Sequence, residues 1–311
     1  DLDLRRGEIL ALVGESGSGK SALSMSLVGL NRGPRAHIGG EVRFGGRDLV
    51  TADEKDLRGV RGKDIAVVFQ DALAALNPTQ KVGDQVAEMI RTHRKVSTKQ
   101  ARQRARQLLG EVGIANPEQA ARAYPHQLSG GMRQRVMIAI GLANDPAVLI
   151  ADEPTTALDV TIQAQVLRLL KRLQSEHGTA IVLITHDLGV VAEVADRVAV
   201  MYAGRIIEQG TRDEVLFRPQ HPYTMGLLGS VPRVDGPAVA RLPAITGSPL
   251  TGVTRPAGCA FAPRCAFAHG PCRSAMPELV RRYGVEAHLD RCVLDAAGRD
   301  RARGALEVTA S

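Results

Sequence analysis

The stretch EILALVGESGSGKSALSMSLVGL, residues 8–30, changes its texture twice. Its opening EILALV is an almost unbroken apolar run, which reads as a buried strand, and its close reads as a helix. Between them, Gly14-Glu15-Ser16-Gly17-Ser18-Gly19-Lys20-Ser21 fits G-x-x-x-x-G-K-[ST] with a strand before it and a helix after it, the context the motif requires. The glycines let backbone N–H groups wrap phosphates, and the helix N-terminus adds positive potential. Lys20 is placed to reach the β- and γ-phosphates, and Ser21 to ligate Mg²⁺. The alternative, a Gly-rich turn without a ligand, leaves the flanking elements unexplained.

Outward from this loop, GGEVRFGGRDL at 39–49 alternates between glycines and reads as an antiparallel hairpin at an edge. DIAVVFQ at 64–70 reads as another buried strand ending at Gln70. From about 71 to 145 the pattern turns helical. In STKQARQRARQLLGEVG (97–113), Ala101, Ala105, Leu108, Leu109 and Val112 fall on one face, with a Ser-Thr cap before and Gly113 after. Strands return at 147–152 and 180–186. Between them Asp159 caps a helix carrying Ile162, Val166, Leu169, Leu170 and Leu173. RVAVMYAGRIIEQG at 197–210 reads as a terminal hairpin. The order predicts an α/β P-loop core, a parallel sheet with an antiparallel β edge, interrupted by an inserted α-helical subdomain. Beyond about 217 prolines recur and periodicity fades. The expected organisation is a nucleotide-binding domain over 1–216, helical insertion about 71–145, and a Pro- and Cys-containing C-terminal extension over 217–311.

Composition narrows the class. At 311 residues there is room for one large domain with an appendage, or two domains. Aromatics are only 3%, so the core must be mostly Ala, Val, Leu and Ile. No charged-then-apolar leader is visible, and the longest apolar runs fall well short of the roughly 18–20 residues a membrane span needs; the chain reads as soluble by itself. The net charge of +7 is mostly arginine at 91–106 and 299–303. Without interleaved aromatic residues it reads as solvated helix faces rather than a nucleic-acid surface, and no nucleic-acid partner is expected.

Four strand-end positions carry chemistry. Asp152 and Glu153 close the apolar run VLIADE: Asp152 suits a Mg²⁺ contact and Glu153 a general base for an attacking water. Gln70 can sense Mg²⁺ or water and pass that state to the helical insertion. His186 can hydrogen-bond a γ-phosphate and orient water. Each alone is an ordinary surface or capping residue; together they fall on the edge where α/β sheets bind ligands. Ser129, Gly130 and Gly131 open a further helix. They read equally as a second anion site and as a plain N-cap. One nucleotide seldom needs two such loops from one chain, which hints at a site shared by two subunits.

In this order and spacing the motifs resemble the ATP-binding subunit of an ABC transporter, through residues 1 to about 215. GESGSGKS resembles Walker A, Gln70 the Q-loop, LSGGM the signature, VLIADE Walker B, ALD at 157–159 the D-loop, and His186 the switch histidine. Met132 replaces the usual Gln of the signature, away from the phosphate-contacting positions. The resemblance implies ATP and Mg²⁺ as cofactors, with Ser21, Gln70 and Asp152 around the metal and Glu153, His186, Gln70 and Lys20 in hydrolysis. It implies two ATPase domains sandwiching two ATPs, so that Ser129, Gly130 and Gly131 meet the partner's ATP. It also implies an adenine-stacking aromatic upstream of the P-loop. The chain begins inside that first strand and is expected to be N-terminally incomplete.

All four cysteines lie near the C-terminus: Cys259, Cys265, Cys272 and Cys292, spaced C-x5-C-x6-C-x19-C. Clustered cysteines in an intracellular protein favour metal over disulfides. The spacing lacks the short pairs usual for zinc, whereas iron–sulfur ligation tolerates wider gaps; zinc and free or disulfide thiols stay open. HPYT at 221–224 and PAGCAFAPRC at 256–265 resemble the C-terminal region of oligopeptide, dipeptide and nickel importer ATPases, some of which hold a [4Fe–4S] cluster. The implied protein is an ATPase subunit driving peptide import, peripheral on the cytoplasmic face of the membrane. Its implied partners are a second ATPase subunit (identical, distinct or a fused half), two transmembrane permeases and, indirectly, a solute-binding protein. The alternatives are a nickel or other small-solute importer ATPase, or a soluble ABC ATPase outside transport.

Overall fold

The apolar run after Glu8 forms β1 (Ile9–Val13), buried along its length, and the Gly-rich loop leads into α1 (Lys20–Leu27). The hairpin expected near 39–49 is β2 (Arg43–Phe44) and β3 (Arg47–Asp48). Then come α2 (Glu54–Val60), β4 (Ile65–Val68), α3 (Ala72–Ala75), α4 (Val82–His93), α5 (Thr98–Glu111), α6 (Pro117–Arg122) and α7 (Gly130–Gly141). β5 (Val148–Asp152), α8 (Val160–His177), β6 (Ala180–Thr185) and α9 (Leu188–Val194) follow, then β7 (Arg197–Tyr202) and β8 (Arg205–Thr211). The last elements are α10 (Arg212–Phe217), α11 (Pro222–Gly229), α12 (Gly270–Ser274), β9 (Val280–Arg281), β10 (Leu289–Asp290) and α13 (Ala296–Thr309). This computed structural model describes residues 1–34, 36–156, 158–230, 245–250, 256–281 and 288–309. It divides into two compact units, one of residues 3–9 and 21–184, the other of residues 1–2, 10–20 and 185–311.

In the first unit β4, β5 and β6 run parallel, with Val68 opposite Ala151 and Ala151 opposite Leu183. Their unbroken apolar sequences are what strands covered on both faces require. β4 stops at Val68, two residues short of Gln70, because Asp71 caps α3 by accepting from Leu73 N–H and Ala74 N–H. The helices α4 to α7 fill the expected helical insertion. α5 starts at a reciprocal cap between Ser97 and Gln100 and buries Ala101, Ala105, Leu108 and Leu109, as the periodicity predicts. Each fully buried leucine stabilises by about 1.5–3 kcal/mol. The basic run at 91–106 is tied down by acids, with pairs Arg94–Asp145, Arg102–Asp84, Arg104–Glu111 and Arg106–Glu118. α8 is capped by Asp159 and ends at Gly178 in the left-handed region. It buries Val166, Leu169, Leu170 and Leu173, while Ile162 is only half-buried.

In the second unit β1 pairs parallel with β7, and β7 turns through Ala203 and Gly204, both at positive φ, into antiparallel β8. That hairpin is not terminal, as the sequence suggested. β10 pairs antiparallel with β8, Leu289 opposite Gln209 and Asp290 opposite Glu208, and β9 pairs with β10. The residues responsible lie far along the Pro-rich extension, where no run is long enough to announce a strand. The scarce aromatics concentrate here: Tyr202, Tyr223 and Phe261 meet with ring centroids 4.6–5.4 Å apart, on a floor of Ala11, Val13, Val198, Val200 and Ile207. Two buried polar joints fasten the extension. Glu208 accepts from Gln220 N–H (2.6 Å) and His221 N–H (2.9 Å) and lies 2.7 Å from His288 Nε2. Arg299 bonds Asp290 at 2.9 Å and donates to the carbonyls of Leu294, Gln220 and Cys292.

Candidate functional site

The phosphate-binding loop is wound around its own lysine. Lys20 Nζ is buried and donates to Gly14 O (2.7 Å) and Glu15 O (3.0 Å), with Ser18 Oγ at 3.4 Å. Gly14 is required sterically: a Cβ there would stand 2.1 Å from Met201 O. Gly204 N–H donates to Ser18 O at 2.8 Å, so the β7–β8 turn braces the loop. Ser16 and Gly17 are exposed at its tip, and Ser21 is exposed in the first turn of α1. Exposed loop N–H groups over a helix N-terminus suit an anion, and the lysine supplies the compensating charge.

In the first unit Asp152 ends β5 and is buried. Glu153 follows at φ +46°, a left-handed conformation that costs a non-glycine residue about 1–3 kcal/mol. The conformation is held on both sides. Glu153 N–H donates to Ile184 O at 2.9 Å, and its Oε2 accepts from Gln70 Nε2 (3.0 Å) and Thr156 Oγ1 (2.8 Å). The structure thus brings Gln70 onto Glu153, a pairing absent from the sequence reading. Asp159 accepts from Ile162 N–H at 3.0 Å as the N-cap of α8; Ala157 of the ALD triplet lies outside the described residues. Ser129 caps α7, accepting from Met132 N–H at 3.3 Å, and Ser129 and Gly130 are exposed. Gly131 leaves no room for a side chain, since a Cβ would meet Ile162 Cγ2 at 2.6 Å. His186 is exposed directly after β6, in the same unit as the residues of the loop from Gly14 to Lys20.

The four cysteines are free thiols lining one small, partly enclosed cavity. They reach it from the turn at 259–265, from α12 and from the residues after β10. Burial pushes the Cys265 thiol up to about 11 and that of Cys292 to about 12, and raises Cys259 as well. All four are free in this structure, so the disulfide alternative gains no support. Among the described residues no three His, Cys, Asp or Glu side chains are grouped to hold a metal ion, so neither the zinc alternative nor the expected iron–sulfur cluster gains support from such a grouping. His221 lines the same cavity. Its Nδ1 accepts from Tyr223 N–H at 3.1 Å, its Nε2 is buried with no hydrogen-bond partner among the described residues, and burial pushes the imidazole down to about 3.

Three residues of the site escaped sequence reading. Thr156 holds Glu153 but is one hydroxyl among many. Tyr223 accepts from Glu15 N–H at 2.8 Å, and Arg264 bonds the Glu15 carboxylate at 2.6 and 3.0 Å. The last two sit more than 200 positions from the loop, and no local pattern links them to it.

The ABC transporter family model matches residues 1–156, and that of the oligopeptide/dipeptide transporter C-terminal region matches residues 207–272. The chain is 53% identical over 264 residues to the dipeptide transport ATP-binding protein DppD of Bacillus subtilis, covering 85% of this chain and 78% of that one. It is 54% identical over 266 residues to the oligopeptide transport ATP-binding protein OppD of the same organism, covering 85% and 74%. Among solved structures, the dimeric post-hydrolysis state of the ATP-binding cassette MJ0796 bound to ADP and Pi superposes with a TM-score of 0.61 at 31% identity, covering 68% of this chain and 88% of that one. A loop wound on Lys20, an acid pair closing β5 and a matching C-terminal region thus have one source: this chain belongs to the ABC transporter family of ATP-binding subunits.

Proposed function

We propose that this chain hydrolyses ATP to drive peptide import through an ABC transporter. The observation that carries it is the Gln70–Glu153 hydrogen bond: the amide that leads into the helical insertion holds the carboxylate that would activate water. A movement transmitted through α3 and α4 would therefore release or seat the base. In this reading Gly14 to Ser21 bind the phosphates of ATP, and Lys20 stabilises transferred charge. Ser21, Gln70 and Asp152 would hold Mg²⁺, which would supply charge neutralisation. Glu153 takes the proton of the attacking water and His186 orients it. Residues 1–216 form the ATPase domain and 217–311 its transporter-type extension.

Ser129, Gly130 and Gly131 face the ATP of a second ATPase subunit, and Asp159 lies at the same junction. Val160, beside Asp159, is 82% exposed, and Leu73, just past Gln70, is 49% exposed. Large apolar side chains in these places suit surfaces that the partner ATPase and the permeases cover. Among the described residues no helix is long and apolar enough to cross a membrane; the chain would sit peripherally on the cytoplasmic face. The [4Fe–4S] cluster is proposed for this cavity because Cys259, Cys265, Cys272 and Cys292 all line it, from three elements, with the buried His221 imidazole in its wall. Such a group would cross-link the extension.

The test is ATPase activity of the chain assembled with its partner ATPase, permeases and solute-binding protein in vesicles. Peptide should stimulate hydrolysis, and the isolated chain should be slow. Stimulation by a nickel-loaded binding protein and not by peptide would overturn the peptide reading. Anaerobically purified protein should carry iron and sulfide in equal amounts; protein free of both would overturn the cluster.

A further inference from the structure

The carboxylate of Glu15, the second residue of the phosphate-binding loop, makes a two-point bond to Arg264 of the C-terminal extension, Nη1 to Oε2 at 2.6 Å and Nη2 to Oε1 at 3.0 Å. The main chain of the same residue donates to Tyr223 Oη at 2.8 Å. Glu15 O in turn accepts from Lys20 Nζ. One loop residue is thus held at its carboxylate and its N–H by the extension, and passes that hold to the catalytic lysine through its carbonyl.

The strap is anchored. The Arg264 side chain is 5% exposed and Glu15 23%. The guanidinium lies 5.9 Å from the Tyr202 ring centroid and 6.0 Å from that of Phe261, and also donates to the carbonyls of Thr246 and Ile245. A forked pair in this setting fixes orientation as well as charge, and the Glu15 carboxylate holds the guanidinium pKa above its usual range. The backbone of Arg264 belongs to the turn between Cys259 and Cys265: Ala262 N–H donates to Cys259 O, Arg264 N–H to Phe261 O, and Cys265 N–H to Ala262 O. Cys259 N–H closes this turn onto Cys272 O at 2.8 Å. The backbone of the turn that carries Cys259 and Cys265 therefore sets where Arg264 stands.

We infer that Arg264 and Tyr223 are positioning residues for nucleotide binding, and that the cysteine-bearing segment 259–272 regulates the affinity of the phosphate-binding loop through Glu15. Loop order is measurable without nucleotide; the affinity readout rests on the ATP-binding reading above.

The experiment measures amide exchange of residues 14–21 in the nucleotide-free full chain, and then ATP affinity. Glu15→Gln, at a partly exposed loop position, tests the pair without opening the core. Arg264→Met tests it from the other side, with exchange in β7 as the folding control. Both should accelerate loop exchange and weaken ATP binding by about tenfold, raising KM for ATP by more than they lower kcat. The double variant should be no worse than either single one, and Arg264→Lys, which keeps charge without the fork, should recover part of the loss. Cys265→Ser should produce the same loop signature at smaller size. Unchanged loop exchange in Glu15→Gln and in folded Arg264→Met overturns the strap, whatever ATP does. Additive losses in the double variant overturn the pairing, and a Cys265→Ser protein with wild-type loop exchange overturns the regulatory role of the segment.

Discussion

Two glutamates stand in contrasting surroundings. Glu153 is half-buried on left-handed backbone, and two of the groups holding its carboxylate are side chains at exposed positions, Gln70 and Thr156. Glu208 lies wholly buried in β8, and two of the groups holding it are backbone N–H groups of residues 220 and 221. Side-chain donors on the surface can let go when a ligand or partner takes their place. Backbone donors in a core can let go only if the chain unfolds locally. The first glutamate is built for a change of state and the second to prevent one, so substitution should separate activity from stability.

The largest effect follows from the first. Glu153→Gln keeps size and one hydrogen-bonding oxygen but cannot take a proton. The assembled transporter should lose at least about 100-fold in ATP turnover, the lower range of general-base contributions, while retaining ATP binding. A Glu153→Gln complex that turns over at the wild-type rate would remove the base assignment. On the structural side, Arg299→Met leaves Asp290 buried without its cation, both side chains being 1% exposed. The expected loss is about 3–5 kcal/mol in urea unfolding, and replacing the pair together as Asp290→Leu with Arg299→Met should recover part of it.

Gly131 lies between these extremes. Adding a methyl group as Gly131→Ala presses on Ile162 Cγ2 and should cost about 1–3 kcal/mol of stability. Ile162→Ala in the same chain should relieve the overlap. If the site is shared with a partner's ATP, the relieved double variant should remain stable and still hydrolyse slowly in the assembled transporter, which thermal melts and ATPase rates together decide.

What the sequence made legible follows the same division. The P-loop, the acid pair and the caps of α5 and α8 each depend on residues within one turn or one strand of each other, and their chemistry could be named from order alone. The pairing of Gln70 with Glu153 joins two strands 83 positions apart, so the residues were visible and their contact was not. The extension was least legible. β9 and β10 are two residues each, below the length at which alternation carries information. Arg264 and Arg299 looked like two more positive charges in a basic chain, although one holds the P-loop and the other a buried aspartate. A buried charge is recognised by its partners, and those came from β10, from the phosphate-binding loop and from backbone carbonyls.

The smallest difference separates two serines with one local geometry. Ser97 and Ser129 both cap helices from the extended region, φ −68° and −65°, and each accepts from the third N–H of its helix at 3.3 Å. Ser97 gains a reciprocal bond, because Gln100 Oε1 accepts from its backbone N–H at 2.9 Å. The residue at that position after Ser129 is Met132, which cannot return one. Capping alone makes Ser97→Ala the costlier change, about 1 kcal/mol, with Ser129→Ala at or below it. Activity should rank them in the opposite order: Ser129→Ala slows ATP turnover of the assembled transporter and Ser97→Ala leaves it unchanged. Chemical denaturation of the isolated chain gives the first ranking and ATPase rates of the complex give the second. Equal rates for the two variants would return Ser129 to the role of an ordinary cap, because its side-chain cap bond matches that of Ser97; what distinguishes it is two following glycines and an exposed helix end with no reciprocal cap.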